Sequence, residues 1–355
     1  MSDIAIKRAG LSQHDVKREA APLKFKLLLV AASVVFALVV SEVSLRALNY
    51  RPGLMDSAMF VRNDNALLPF KLRPNYQGYC AGKEVKIDAD GYRTVQPSYA
   101  ELHVGKTDNP ARTILLLGDS GVFGFGVSDK ETIASQLQDA CFKKNLNYQI
   151  RNIGVNGYTS WNEYASFADY LTKYSATDVI VLYMPNDLTF DNDYFGIGRG
   201  GHASFSRDEN RVHRFTRFLY SHVYVSYLIA DSVKRISSRV DNPAQPIGFD
   251  ESRKQKEIDY SLEALRRIQE TCKARNIRFS VSIYRDVAYE ADPTGWLKYE
   301  EAIERNLDRD GIKWFVAKSH MDNLKAKEVR VSWNDAHPGA KAIRFIVSDI
   351  LMQLQ

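Results

Sequence analysis

Cysteine is scarce in this chain, with three among 355 residues. So few exclude a disulfide-built scaffold and leave stability to a hydrophobic core. Cys141 lies four residues after Leu137, and Cys272 four after Ile268. Both spacings put the thiol on the apolar stripe of a helix, so both are expected in the core. Cys80, in "YQGYCAGKE", is expected in a loop, free or paired. Low-complexity tracts and internal repeats are absent too, which excludes solenoid and fibrous architectures. A strong charge of one sign is also lacking. The formal net charge is +5, and residues 1–26 supply three of those charges: Lys7, Arg8, Lys17, Arg18, Lys24 and Lys26 against Asp3, Asp15 and Glu19. The remainder has no concentrated basic face, so nucleic acid is not expected as a partner. His202, His213 and His222 are spaced 11 and 9 residues apart. That matches no simple metal-ligand pattern, and no metal is expected.

Long hydrophobic runs are missing except one. Leu27 to Ser41, "LLLVAASVVFALVVS", holds no charge and directly follows the basic start. With its flanks it reaches the roughly 20 residues that a helix needs to cross a bilayer. A cleaved signal peptide would need small residues after it; "SEVSLRALNY" offers bulky and charged ones. An uncleaved anchor over 27–46 is therefore expected, with residues 1–26 as a cytoplasmic basic tail. The positive-inside bias then sends everything after about residue 48 across the cytoplasmic membrane.

Residues 49–110 are rich in turn signals, "YRPG", "LRPNYQG", "DADGYR" and "KTDNPA", with short strands such as Glu84–Ile87 between them. This reads as a small β-rich collar. From residue 112 the rhythm changes. Short apolar runs at Ile114–Leu117, Tyr148–Ile153, Asp178–Tyr183, Arg278–Tyr284 and Ile312–Val316 alternate with amphipathic helical stretches. One such helix is expected from Ser128, where Ser128 and Glu131 make a capping box. Alternation of this kind predicts a parallel sheet covered on both faces, with ligands at the carboxyl ends of the strands. The stretch at about 188–248 interrupts the rhythm and is expected as an insertion, either a lid or a helical addition.

The first strand runs into "ILLLGDSGVFGFG", Ile114 to Gly126. Its glycines fit no phosphate cradle. Asp129 stands where a dinucleotide fingerprint needs its last glycine, and Val127-Ser128 stand where a P-loop needs Lys and Ser/Thr. Val122 breaks the G-x-S-x-G elbow. Near the other terminus, "SWNDAHPGAKA" places Asp335 two residues before His337, with Pro338 behind, where it suits the first turn of the terminal helix. Pro338 pushes His337 into an extended conformation, and in an extended segment residues i and i+2 point the same way. A carboxylate beside an imidazole, plus a serine at a strand end, is the material of nucleophilic acyl chemistry. "RNIGVNGYTS" ends the second strand with a turn at Gly157, and "VIVLYMPNDL" ends the third with Asn186-Asp187. A turn N–H and an Asn amide both suit a developing oxyanion.

Four blocks in order, Gly-Asp-Ser, a turn glycine, Asn-Asp and Asp-x-His-Pro, resemble the SGNH or GDSL hydrolase superfamily over roughly residues 112–354. The anchor, collar and "DADGYRT" resemble a membrane-anchored bacterial branch of it. The resemblance implies a flavodoxin-like α/β three-layer sandwich with a central parallel sheet over 112–355. It implies Ser120 as nucleophile, His337 as base and Asp335 as its orienting partner. Ser120 N–H, Gly157 N–H and the Asn186 amide would form the oxyanion hole, and no cofactor is implied. The chain departs from the family pattern in two places. Met184-Pro185 precede Asn186 where a glycine is usual, and Asn334 stands where many members carry the aspartate. The expected function is an extracytoplasmic, membrane-anchored serine esterase removing acyl groups, O-acetyl foremost, from a glycan or envelope lipid. Two alternatives remain open: an O-acyltransferase on an exported polysaccharide, served by an acyl-donor partner in the membrane, and a non-catalytic polysaccharide assembly factor.

Overall fold

The computed structural model describes residues 22–98, 110–188, 196–197, 203–204, 211–238, 251–285, 296–317, 324–332 and 335–354. Most of the basic tail and much of the 188–248 stretch lie outside these described residues. The chain divides into two units, Met1–Asn49 and Tyr50–Gln355.

In the first unit, α1 (Leu23–Ala47) is a helix of 25 residues, long and apolar enough to cross a membrane. Its apolar side chains are exposed, from Phe25 to Val43. It begins four residues earlier than the charge-free run and so includes Lys24 and Lys26.

The second unit opens with two antiparallel hairpins. β1 (Phe60–Asn65) pairs with β2 (Leu68–Leu72), and β3 (Gln77–Cys80) with β4 (Lys83–Lys86). Cys80 thus ends a strand instead of sitting in a loop; it is free and buried, and burial pushes its thiol up to about 12. The hairpins share one apolar cluster with Phe123, Val155, Tyr158 and Ala165 of the following α/β region.

Next come β5 (Arg112–Leu117), the single turn α2 (Ser120–Phe123), α3 (Ile133–Lys143), β6 (Tyr148–Asn152), α4 (Ser160–Tyr170) and β7 (Asp178–Tyr183). Two short strands, β8 (Gly196–Ile197) and β9 (Ala203–Ser204), precede the helices α5 (Arg211–His222) and α6 (Tyr224–Ser238). The chain continues through α7 (Glu251–Ala274), β10 (Arg278–Tyr284), α8 (Trp296–Arg309) and β11 (Trp314–Ala317). It closes with α9 (Ala326–Val329), β12 (Arg330–Ser332), β13 (Asp335–Pro338) and α10 (Ala340–Leu354).

The expected parallel sheet is present. Its order is β11-β10-β7-β5-β6, every neighbour parallel. One apolar face packs Ile114, Leu116, Ile180 and Leu182 against α3 and α10. The other packs Leu115, Leu117, Val179 and Val181 against α4, α7 and α8. Alternate residues of one strand therefore feed opposite layers, as a period of two requires. Cys141 and Cys272 are buried, one in each layer, as their helical spacing predicted.

The Ser128 capping box forms, but it caps a 3-10 turn over Asp129–Glu131. Thr132 then caps α3 separately, accepting from Ser135 N at 3.2 Å. Two successive caps replace the single helix start expected at Ser128, because the hydroxyl of Thr132 offers the backbone a second, equally local partner.

Candidate active site

β5 lies between β6 and β7, and the helices that follow β5 and β6 leave to opposite faces of the sheet. The gap this opens at the carboxyl edge is a topological switch point, where ligands of such sheets bind. Ser120 sits there, immediately past β5. Leu117 pairs with Val181 and Leu116 with Asn152, so the loops carrying Gly157 and Asn186 leave from the same edge on either side.

Ser120 begins α2, and the buried Asp119 caps that turn, its Oδ1 accepting from Gly121 N at 2.7 Å. Gly124 and Gly126 carry φ of 87° and 74°, so a side chain at either would be strained. They reverse the chain at the end of α2 and lead it into the Ser128 cap.

His337 arrives from the last strand of the chain. β13 pairs with β12 through Arg330–Pro338 and Ser332–Asp335, so the Asp-x-His segment is extended, as Pro338 predicted. Pro338 itself closes β13, and α10 starts only at Ala340; the expectation that Pro338 opens the terminal helix is corrected. The reason is the Gly339 N–H, which donates to Val329 O at 2.7 Å and keeps this turn on the hairpin.

The structure brings three predicted residues together. His337 Nε2 lies 2.7 Å from Ser120 Oγ, and His337 Nδ1 lies 2.5 Å from Asp335 Oδ1. Asp335 Oδ1 also accepts from His337 N at 3.0 Å. Burial alone would raise the Asp335 carboxyl, but the His337 hydrogen bonds, with Arg330 nearby, outweigh it and hold it below the usual carboxylate range. An ionised Asp335 at Nδ1 selects the tautomer that leaves Nε2 as an acceptor for the Ser120 hydroxyl. Ser120 Oγ also lies 3.1 Å from Asp119 Oδ2, the longer of its two contacts.

Gly157 has φ 81° and lies in the turn after β6, which is tied back by Val155 N to Gly118 O at 3.2 Å. Asn186 belongs to a 3-10 turn, Pro185–Leu188; its side chain, like Asn334, lies outside the described residues. That turn is held by Asp187, whose Oδ2 accepts from Met184 N at 2.6 Å.

Five residues to which sequence reasoning gave no role also shape the site. The Phe125 ring lies 4.6 Å from the His337 ring, tilted by 32°. Arg93, from the "DADGYR" turn, is buried behind it. Its guanidinium donates to Phe123 O at 2.8 Å, Gly124 O at 2.6 Å and Val127 O at 2.9 Å, and pairs with Asp129 at 3.0 Å. Glu163 and Asp187 are both buried near Asp119. Burial, and then the charges of the neighbouring acids, push both carboxyls well above their usual range, so this layer retains a proton. Only Asp119 had a legible signal, its place as an N-cap before a short helix.

No family model and no curated protein matches the chain. Among solved structures, it is similar to the psychrotrophic esterase EstA from Pseudoalteromonas sp. (14% identity, TM-score 0.42, covering 68% of this chain and 98% of that one). It is similar to Axe2, an acetylxylan esterase from Geobacillus stearothermophilus (9%, 0.42, 70% and 96%). A GDSL-like lipase from Bacteroides thetaiotaomicron also resembles it (13%, 0.37, 72% and 95%). At such low identity and TM-score, the likeness carries no argument about activity or substrate.

Proposed function

We propose that the chain is a membrane-anchored serine ester hydrolase acting outside the cytoplasm, which removes short acyl groups, O-acetyl foremost, from a glycan or envelope lipid. The observation that carries this reading is the unbroken contact from Ser120 Oγ through the His337 ring to Asp335, 2.7 Å and 2.5 Å long. In this reading His337 Nε2 takes the Ser120 proton as Oγ attacks the ester carbonyl. The tetrahedral oxyanion is met by the N–H groups of Ser120 and Gly157 and by the Asn186 amide. Collapse expels the alcohol, which receives the proton from His337, and leaves an acyl-serine. Water, activated by the same imidazole, then releases the acid. Asp335 stabilises the imidazolium formed in both halves.

In this reading α1 is the anchor, and the basic residues before it support a cytoplasmic amino terminus. A reporter fused after Gln355 should then be active only outside the cytoplasmic membrane; a cytoplasmic signal would overturn the compartment and the envelope substrate together.

The activity is tested with the full chain in detergent and a small activated acetyl ester. Wild type should hydrolyse it, and Ser120→Ala should not, with thermal unfolding nearly unchanged. Near-normal turnover by folded Ser120→Ala would overturn the proposal. Transfer of the acetyl group to an added sugar in preference to water would replace hydrolase by transferase.

A further inference from the structure

The helices α5 and α6 leave large apolar side chains in water. Phe215 and Phe218 on α5 are 64% and 57% exposed; Ile229, Val233 and Ile236 on α6 are 51%, 60% and 66% exposed. The spacings, i and i+3 on one helix and i, i+4 and i+7 on the other, gather each set into a single stripe. The first turn of α6 faces the protein instead, with Tyr224 and Val225 buried. Contiguous apolar stripes of this kind mark an interaction surface.

The way the chain enters the second unit identifies the partner. Only Leu48 and Asn49 separate the end of α1 at Ala47 from the start of the second unit at Tyr50. The residues that follow them dock on the start of α6. Tyr50 meets the Tyr224 ring edge-on at 6.5 Å, and Arg51 Nη1 donates to Tyr224 Oη at 2.5 Å. Gly53 packs so closely on Tyr227 that a Cβ there would strike the phenol oxygen. The foot of α6 is therefore tied to the first residues of the second unit.

The composition of these helices suits the same neighbour. Across residues 211–238 the sequence carries Arg211, Arg214, Arg217, Lys234 and Arg235 against Asp231. Basic helices with one apolar stripe lie in the headgroup region of a bilayer.

We propose that α5 and α6 rest on the surface of the bilayer that α1 enters, their apolar stripes inserted at the boundary of headgroups and acyl chains. This rests on the anchor reading of α1. The second unit then has two attachments to the membrane, one spanning and one interfacial, and its site works on esters presented close to the lipid surface.

The test uses the full chain reconstituted in phosphatidylethanolamine–phosphatidylglycerol vesicles. The three native cysteines are buried, so a single introduced cysteine takes an environment-sensitive fluorophore. Probes are placed by Phe218→Cys, Ile229→Cys and Val233→Cys, with Val34→Cys in α1 and Lys144→Cys at the exposed end of α3 as references. Lipids spin-labelled near the headgroup or near the chain end serve as quenchers. The probes at 218, 229 and 233 should shift to the blue and be quenched more strongly by the shallow label, the probe at 34 by the deep one, and the probe at 144 by neither. Quenching at 34 without quenching at 218, 229 and 233 overturns the interfacial contact and leaves the anchor standing. A blue shift at those positions that no lipid label quenches assigns the surface to a second copy or another protein, and overturns it equally. Absence of quenching at 34 overturns the anchor, and this inference with it.

Discussion

Ser120 and His337 are 217 residues apart in the chain, and their reactive atoms meet at 2.7 Å. The meeting joins the end of the first sheet strand to a hairpin just before the last helix.

Asp335 and Asn334 both precede His337, and Asp335 holds the ring at 2.5 Å. A carboxylate stabilises the imidazolium, whereas an amide only fixes orientation. Asp335→Asn should lower kcat by up to about 10⁴. Asn334→Ala should cost less than about tenfold, the equivalent of one hydrogen bond near 1 kcal/mol. Side-by-side kinetics on folded variants decide the matter. The reverse ranking would mean that Asp335 does not orient the base.

Loss of one oxyanion donor usually costs about 10²–10³ in kcat. Asn186→Ala should show that loss with a smaller effect on KM. An effect confined to KM would assign Asn186 to ground-state binding of substrate instead.

Arg93 is a buried cation that holds three carbonyls of the loop behind Ser120 and pairs with Asp129. Arg93→Ala strands Asp129 and those carbonyls, and should destabilise folding by about 3–5 kcal/mol. Denaturant unfolding reads this directly. Because Phe125 lies in the same loop against His337, kcat should fall as well. A loss below about 1 kcal/mol would show that water replaces the guanidinium at little cost.

Glu163 is pushed above its ordinary value of 4.5, first by burial and then by the Asp119 charge. In the unfolded chain it ionises in the ordinary range, while the native state still binds the proton. Folding at higher pH must therefore take up a proton, and stability falls as pH rises above the ordinary glutamate range. Glu163→Gln keeps the shape and removes the titration. Its unfolding midpoint should gain on wild type progressively from about pH 5 up to about 8, the value to which burial pushes the folded carboxyl. A difference that is flat with pH would mean that Glu163 is ionised in the folded protein.

Much of this protein is written locally. Apolar runs such as Ile114–Leu117 and Asp178–Tyr183 read as strands because burial on both faces leaves no polar alternation, and all five expected sheet strands formed. α1 was legible from its uninterrupted apolar run, and the extended Asp335–His337 geometry from Pro338, whose ring restricts the preceding residue wherever the chain goes. Local reading failed where two local partners competed, as at Ser128 and Thr132, and at Pro338, where a long-range N–H bond outbid the helix start.

By itself, then, the sequence determined the elements and the order of the blocks that carry Ser120, Asp335 and His337, since periodicity, capping and proline sterics act within a few residues. Only the tertiary structure decided that β5 lies between β6 and β7, which opens the gap for Ser120. It alone buried Arg93 behind the loop and gathered Asp119, Glu163 and Asp187 into one buried layer. Those are properties of residues that meet across tens to hundreds of positions. An arginine in a turn motif reads as a surface charge, and a glutamate in a helix as a solvated face, until the chains that exclude water from them are in place. Desolvation and pairing are set by those distant neighbours, which no local pattern encodes.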